Sequence, residues 1–364
     1  MKPLIKLFYN LFLKPSAVTD PSALDPNSVR NILVVRQHNQ LGDMICSLPL
    51  FAALKNKFPN SHITLICSKD NYAIFNSPAE KYIDDVKLFD KSGVINIWKF
   101  NKELKKRKYD IGIVPSTVSF SKTSHIINAL AKPGLKVGVS SNGVLKNNYD
   151  FLLDVKSRFK WDEEKKHQAF RNIDIVKQIG CSLAEDKVEK LNLHLSNEEK
   201  KEAQDFFKKH LPVHKQFTIG FHPGAGKTQN RWAIVNFASL IEKLNSKYEC
   251  SFLITSGPND AEIVKHLADI LNHKKIGFTI ASGKSIRVIS AIINSLDAYV
   301  TNDTGTMHVS GAVNTKTISL FGPTNGWEWA PLGKQNTFIQ GSTRDINSIS
   351  VEEVFKRTIQ TLEQ

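Results

Sequence analysis

Four cysteines in 364 residues, Cys46, Cys67, Cys181 and Cys250, form no CxxC pair and no close spacing. That scarcity excludes a disulfide framework and a cysteine-based zinc site, and the apolar surroundings of all four make them buried free thiols of a reducing compartment. Long hydrophobic runs are also missing. The best candidate is the opening "MKPLIKLFYNLFLKPS", whose apolar side chains lie between Lys2, Lys6 and Lys14; it is too short to span a bilayer and is followed by no small-residue cleavage site. It suits a helix lying in a membrane interface as well as one packed on its own domain. Acidic residues are outnumbered, 35 against 49 Lys and Arg, for a net charge of +14. Such a balance favours an anionic partner, whether nucleic acid, an anionic membrane face or a phosphorylated substrate. No nucleic-acid module and no basic stripe with interleaved aromatics is recognisable, so no nucleic-acid partner is expected. No metal-ligating constellation stands out either. Asp84 and Asp85, at a strand start, read as solvated, and no metal or other cofactor is expected.

What the sequence does contain is alternation. Apolar, β-branched runs, "NILVVR", "HITLIC", "DVKLF", "YDIGIV" and "LKVGV", are separated by helical patterns such as "MICSLPLFAALKNKF" and "INIWKFNKELKKRK". After residues 140 to 215, which lack strand signals but carry "EEKKHQAFRNIDIVKQIG" and "LSNEEKKEAQDFFKKH", the alternation resumes with "QFTIGF", "CSFLITS", "KIGFTI", "DAYVT" and "TKTISLF". Two successive βα arrays in a chain of twice ordinary domain length predict an α/β protein of two Rossmann-like lobes with parallel sheets. The expected divisions are a basic amphipathic segment over 1–30, lobes over 31–180 and 181–345, and a final helix over 346–364. A ligand is expected in the cleft between the lobes, at the carboxyl ends of the strands.

Three turns carry candidate chemistry. In "TNDTGTMH", a strand opens onto a helix whose unpaired amides attract an anion. Gly305 permits close approach, Thr304 and Thr306 add hydroxyls, and His308 lies on the first helical turn; Asp303 suits a sugar hydroxyl or the amides of the turn. A plain helix N-cap, with His308 packed beneath, explains the same residues. In "GFHPGAGKTQNRW", the ending resembles a P-loop, but Phe221 stands where that motif needs glycine, and Pro223 removes an amide the cradle requires. What remains is a Gly-rich basic turn with Lys227 and Arg231 able to face an anion. In "RQHNQLGDMICSL", Asp43 is either an N-cap or a carboxylate placed to take a proton from an attacking hydroxyl.

Taken in order and at these separations, "ILVVRQHNQLGDMICSLPLFAALKNKFP", "IGFHPGAGKTQNRW", "GPNDAE" and "VTNDTGTMHVSGAVNTKTISLFGPT" resemble glycosyltransferase family 9, the lipopolysaccharide heptosyltransferases, over most of residues 31 to 335. The resemblance implies the GT-B fold, with the acceptor held mainly by the N-terminal lobe, a nucleotide-sugar donor held mainly by the C-terminal lobe, and a final helix crossing back onto the first lobe. Asp43 then matches the family's general base. Asp303, Thr304, Gly305 and His308 match the donor clamp, with Thr306 beside them; Arg231 would contact phosphate or the proximal ribose, Lys227 would face the departing diphosphate, and Glu262 would hold the nucleoside's ribose. "RQHNQLGD" replaces the more usual "RLSALGD", and Arg231 stands where lysine is common, bringing a planar fork in place of a point charge. Gln40, Lys122, His167 and Arg171 are the acceptor-side candidates.

The activity implied is inverting, metal-independent transfer of a sugar, heptose from ADP-heptose, to a hydroxyl of an anionic lipopolysaccharide-core glycolipid. It would take place in the cytoplasm, at the inner face of the bacterial inner membrane if residues 1–16 make a peripheral contact. Two other classes stand beside it: another nucleotide-sugar enzyme of the same fold, such as an epimerase, and a non-catalytic anion or nucleic-acid binder.

Overall fold

The computed structural model describes residues 20–37, 40–89, 100–213 and 215–364. The amphipathic segment over residues 1–16 and the first five residues of the helix expected over "INIWKFNKELKKRK" lie outside them; residues 100–104 of that stretch are helical.

The chain divides into two compact units, Met1–Val188 and Glu189–Gln364, so the division falls eight residues beyond the expected one. In the first unit, β1 (Asn31–Arg36), β2 (His62–Cys67), β3 (Asp85–Leu88), β4 (Ile111–Ile113), β5 (Leu135–Ser141) and β6 (Val155–Arg158) form one sheet in the order β3-β2-β1-β4-β5-β6. Every pairing is parallel. Parallel strands buried on both faces read as continuous apolar runs, which is how β1 and β2 are written, each buried beyond its first residue. The crossing helices include α1 (Leu41–Ile45), α2 (Leu48–Lys57), α3 (Lys69–Phe75), α4 (Lys122–Leu130) and α5 (Gln168–Lys177). The helix expected as one piece over "MICSLPLFAALKNKF" is two, because Pro49 at the start of α2 lacks the amide that would continue α1.

The second unit repeats the topology. β7 (Phe217–His222), β8 (Cys250–Thr255), β9 (Thr279–Ala281), β10 (Ala298–Asn302), β11 (Thr317–Phe321) and β12 (Thr337–Gln340) pair in parallel in the order β12-β11-β10-β7-β8-β9. Around them lie α6 (Asn197–His210), α7 (Ile234–Lys247), α8 (Ala261–His273), α9 (Ile286–Asn294), α10 (Gly305–Ala312), α11 (Gly326–Trp329) and α12 (Val351–Leu362). α6 opens on a capping box, Ser196 with Glu199, and the other oxygen of Glu199 takes the buried guanidinium of Arg287 on α9 at 2.8 Å. The final helix, α12, places Val354 and Leu362 in the same core as Phe221, Trp232 and Phe252.

Two strands are missing from the expected set. β6, "VKSR", and β12, "TFIQ", are edge strands, half exposed along their length, so neither carries an apolar run. Residues 140 to 215, expected to hold no strand, therefore contribute one. All four cysteines are buried free thiols; burial pushes Cys67 and Cys181 up to about 12 and Cys250 up to about 11. Asp84 and Asp85 are paired with Lys55 and Lys87 at 2.7 and 3.0 Å.

One buried histidine makes stability pH-dependent. His125 on α4 donates from Nδ1 to the Ser121 carbonyl at 2.7 Å, and its Nε2 accepts from the Asn147 amide at 2.9 Å. A second proton would meet a donor. Burial, opposed by the Ser121 bond and the charge of Asp150, holds this imidazole below its ordinary 6.5. The unfolded chain then binds the proton first, so the stabilising contribution is complete above 6.5 and is lost as pH falls below it. Urea unfolding at pH 7.5 and 5.5 should show lower stability at the acidic value, with a shallower drop in His125→Asn.

Candidate active site

In sheets of this topology the order reverses between the first and fourth strands, and ligands bind beyond the carboxyl ends there. In the second unit these strands are β7 and β10, and side chains tie their following loops together. Asn302, at the end of β10, donates to the Pro223 carbonyl at 2.9 Å and accepts from the Trp232 amide at 3.1 Å. Asn230 donates to Asp303 at 2.9 Å. Trp232 is fully buried and its indole donates to the Ile349 carbonyl at 2.9 Å. Arg231, between buried Asn230 and buried Trp232, is thereby held on a fixed backbone, and its Nε donates to the Ala225 carbonyl at 2.9 Å. After the loop, Thr228–Asn230 makes a 3-10 turn and α7 starts only at Ile234, so "GAGKT" opens no helix as a P-loop would.

Thr304 is the N-cap of α10, accepting from the Thr306 amide at 3.1 Å, with the two hydroxyls 2.8 Å apart. The capping interpretation therefore holds, and it leaves the helix start, with Gly305 as first residue, beside Asp303. Burial raises the Asp303 carboxyl above its ordinary range, opposed by a hydrogen bond from Thr324 and the charge of Lys227. Lys227 is exposed and within electrostatic reach of that carboxylate. His308 is buried, its ring 6.0 Å from that of Trp329 in an edge-on arrangement. Glu262 is exposed in the first turn of α8.

The sequence reading passed over a buried polar network beneath these loops. Asp260 accepts from the Gly257 amide at 2.8 Å and lies 3.5 Å from His222 Nε2. His222 Nδ1 is 2.9 Å from the Thr255 hydroxyl, which is 2.6 Å from Tyr299 Oη. Burial depresses the His222 imidazole, against the charge of Asp260, and raises the Tyr299 phenol, which also meets Thr306. The signal available was "GFHPG" followed by "GPND", a histidine and an aspartate at the ends of neighbouring strands. A glycine protects the arrangement: a Cβ on Gly224 would stand 2.3 Å from the Asp260 carboxylate. Gly224→Ala should displace Asp260, cost about 1–3 kcal/mol of stability by overpacking, and weaken binding at the neighbouring loop about tenfold, as read by thermal unfolding and nucleotide titration.

In the first unit the equivalent reversal lies between β1 and β4. Arg36 ends β1 and is 3 % exposed; it donates to the Pro115 carbonyl beyond β4 at 2.5 Å and to Asn172 on α5 at 3.2 Å. Its Nη2 is 3.8 Å from Asp43 Oδ1. Burial lowers the guanidinium from its ordinary value while the charge of Asp43 opposes the shift. Asp43 is not an N-cap: Gln40 occupies that position, without a side-chain bond, and Asp43 is buried in the first turn of α1. Asn172 also donates to the Cys46 carbonyl at 3.2 Å, binding α5 to the end of α1. Neither Arg36 nor Asn172 was singled out from sequence.

The acceptor-side candidates lie on three helices of the first unit. Gln40 is exposed, and Lys122 is exposed at the start of α4. His167 caps α5, its Nδ1 accepting from the Ala169 amide at 3.1 Å. Arg171 is buried, paired with Asp162 at 2.7 Å, bonded to the Lys166 carbonyl at 2.8 Å, and 5.9 Å from the Trp161 ring. Among the described residues, no group of three or more His, Cys, Asp or Glu side chains could hold a metal ion, and no helix is long and apolar enough to cross a membrane.

The chain resembles known proteins along most of its length. It is 25% identical over 322 residues to lipooligosaccharide heptosyltransferase 2 of Haemophilus influenzae, covering 85% of this chain and 88% of that one. To the enzyme of the same name from Campylobacter jejuni it is 23% identical, with 81% and 83% covered. Among solved structures, a family 9 glycosyl transferase from Veillonella parvula superposes with a TM-score of 0.79 at 20% identity, covering 92% of this chain and 97% of that one. E. coli ADP-heptose LPS heptosyltransferase II does so at 0.74 and 19% identity, with 92% and 99% covered. The fold they share is GT-B, built from two Rossmann-like lobes with six-stranded parallel sheets here. The family model described as glycosyltransferase family 9 (heptosyltransferase) matches residues 97–358, so the chain belongs to glycosyltransferase family 9 and is a glycosyltransferase.

Proposed function

We propose that this protein transfers a heptose from ADP-heptose, with inversion, to a hydroxyl of a lipopolysaccharide-core glycolipid. The observation that carries the donor half is the meeting, at the ends of β7 and β10, of the capped α10 N-terminus with Asp303, Lys227 and Arg231. A diphosphate is the ligand that uses all of it. Helix amides and the two cations receive its charge, and Asp303 accepts from a sugar hydroxyl. The relatives named for heptose transfer, and the E. coli structure named for ADP-heptose, supply the sugar and the base.

In this reading Asp43 takes the proton of the acceptor hydroxyl as it attacks the anomeric carbon, and the bond to the diphosphate breaks on the opposite face. Lys227, Arg231 and the amides at Gly305 then stabilise the charge on the leaving diphosphate. Arg36 positions Asp43. His308, seated against Trp329, supports the helix that presents those amides. Glu262, two residues beyond buried Asp260, is assigned to the ribose, and Gln40, Lys122, His167 and Arg171 to the acceptor side. The non-catalytic alternative has no place in a transferase family. The epimerase alternative predicts conversion of the donor without acceptor.

The test is calorimetric titration with ADP, UDP, GDP and CDP and their available sugar conjugates, in EDTA. Selective micromolar binding of ADP-heptose, weakened at least tenfold in Asp303→Ala, is expected. Preference for another nucleotide would discard heptose while keeping transfer; loss of binding in EDTA would overturn the metal-independent reading. Turnover of donor alone to an epimer would favour the alternative enzyme.

A further inference from the structure

Large apolar side chains left in water are scattered over most of the second unit but concentrated in one part of the first. Of the ten exposed large hydrophobic residues among the described residues, five fall between positions 118 and 145: Val118, Ile126, Leu130, Val144 and Leu145. Ile126 and Leu130 stand one and two turns beyond Lys122 on α4, so the outward stripe of this helix is apolar where a helix on a sheet ordinarily turns polar residues to solvent. Val144, 70% exposed, and Leu145, 47% exposed, form the tip of the loop after β5.

That tip is held firmly. The Asn142 side chain is buried; its oxygen accepts from the amides of Val144 at 3.2 Å and Leu145 at 2.7 Å. Its amide donates to the carbonyls of Thr117 at 3.3 Å and Val118 at 3.0 Å, joining the tip to the loop that carries Val118. Gly143 takes φ +98°, open to glycine. Asn147 closes the loop onto α4 through His125 at 2.9 Å. Exposed aliphatic side chains on so constrained a loop are presented, not left over.

Within the stretch that carries them the charge has one sign, and the nearby Glu163 is paired at 3.1 Å with Lys160, whose backbone lies beside Gly143. From Ile111 through Tyr149 the sequence contains no Asp or Glu and four lysines. Lys122, Lys132 and Lys146 are exposed, whereas Lys136 is buried against Asp154. The acids that flank this stretch are engaged: Asp110 accepts from the amides of Arg30 and Asn31 at 2.7 and 2.8 Å, and Asp150 accepts from Ser140 at 2.7 Å. Aliphatic side chains want the acyl boundary and lysines want phosphate; an anionic bilayer surface offers both at one depth. We infer that the α4 stripe with the Val144–Leu145 tip docks the first unit on an anionic phospholipid membrane. The surface uses no residue of the stretch 1–16, and it does not depend on which nucleotide sugar is bound.

The full chain should co-float with vesicles of phosphatidylglycerol and phosphatidylethanolamine at low salt, bind at least tenfold less at 0.5 M salt, and bind phosphatidylcholine vesicles weakly. Two double variants, Val144→Ser with Leu145→Ser and Ile126→Gln with Leu130→Gln, should each lower the partition coefficient at least fivefold while thermal unfolding and nucleotide titration stay as in the parent. Unchanged partitioning in both variants would overturn the inference and move any membrane contact elsewhere. Absence of vesicle binding by the parent would overturn it too, as would an oligomer seen by ultracentrifugation, lost in the variants without effect on vesicles, which would make the surface a protein interface.

Discussion

Asp43→Asn is expected to lower kcat by about 10²- to 10⁴-fold, the usual contribution of a positioned general base, while leaving the dissociation constant for the nucleotide sugar within about twofold. The exchange keeps the side chain's shape and removes its capacity to take a proton. Arg36 gives the variant a second signature. That guanidinium is 3 % exposed, and Asp43 is the carboxylate opposing the effect of its burial, so the neutral side chain also leaves a buried cation without its counter-charge. Adding Arg36→Met to Asp43→Asn should therefore recover stability without recovering rate. Single-turnover kinetics and urea unfolding separate the two effects. A wild-type rate in Asp43→Asn would remove it as the base and leave the donor site unaffected.

Asp154→Ala should cost about 3–5 kcal/mol of folding stability, the penalty for orphaning a buried charge. Lys136 and Asp154 are 6% and 5% exposed at their side chains and 3.0 Å apart. The same carboxylate accepts from the Lys136 amide at 2.8 Å, and the Asp154 amide donates back to the Lys136 carbonyl at 2.8 Å. These contacts attach β6 to β5 just before the register of Val137 with Val155 begins. Replacing both partners, Lys136→Met with Asp154→Leu, should restore most of the loss, because the pair's own net contribution is small once its desolvation is counted. Equilibrium urea unfolding of the single and double variants gives the comparison; a loss below about 1 kcal/mol in Asp154→Ala would mean that water reaches the lysine.

Much of the architecture was legible because it rests on local regularities. β1 and β2 were readable to the residue, since a strand buried on both faces must be a continuous apolar run. The turn before α10 was legible as well: a strand, then Asp303, Thr304 and Gly305, can hardly be anything but a capped helix start. β6 and β12 were not, because half-exposed edge strands of four polar and apolar residues owe their conformation to the neighbour they pair with. Of the two readings open for Asp43, the N-cap failed for a related reason, as spacing cannot distinguish the cap from a helical position three residues later.

The sequence alone determined the fold class, the two-part organisation and the loops at which chemistry is concentrated, because hydrophobic period and turn chemistry act over a few residues. Tertiary structure decided which side chains meet. Arg36 reaches Asn172 across 136 positions, and Asn230 reaches Asp303 across 73. Asp260, His222, Thr255 and Tyr299 join into one network only because β7, β8 and β10 lie side by side. The outward apolar stripe of α4 belongs here too, since period places Ile126 and Leu130 on one face while the sheet's position decides that this face is left to solvent. Such pairings and exposures are fixed by the whole chain's packing, and no local stretch of residues carries their signature.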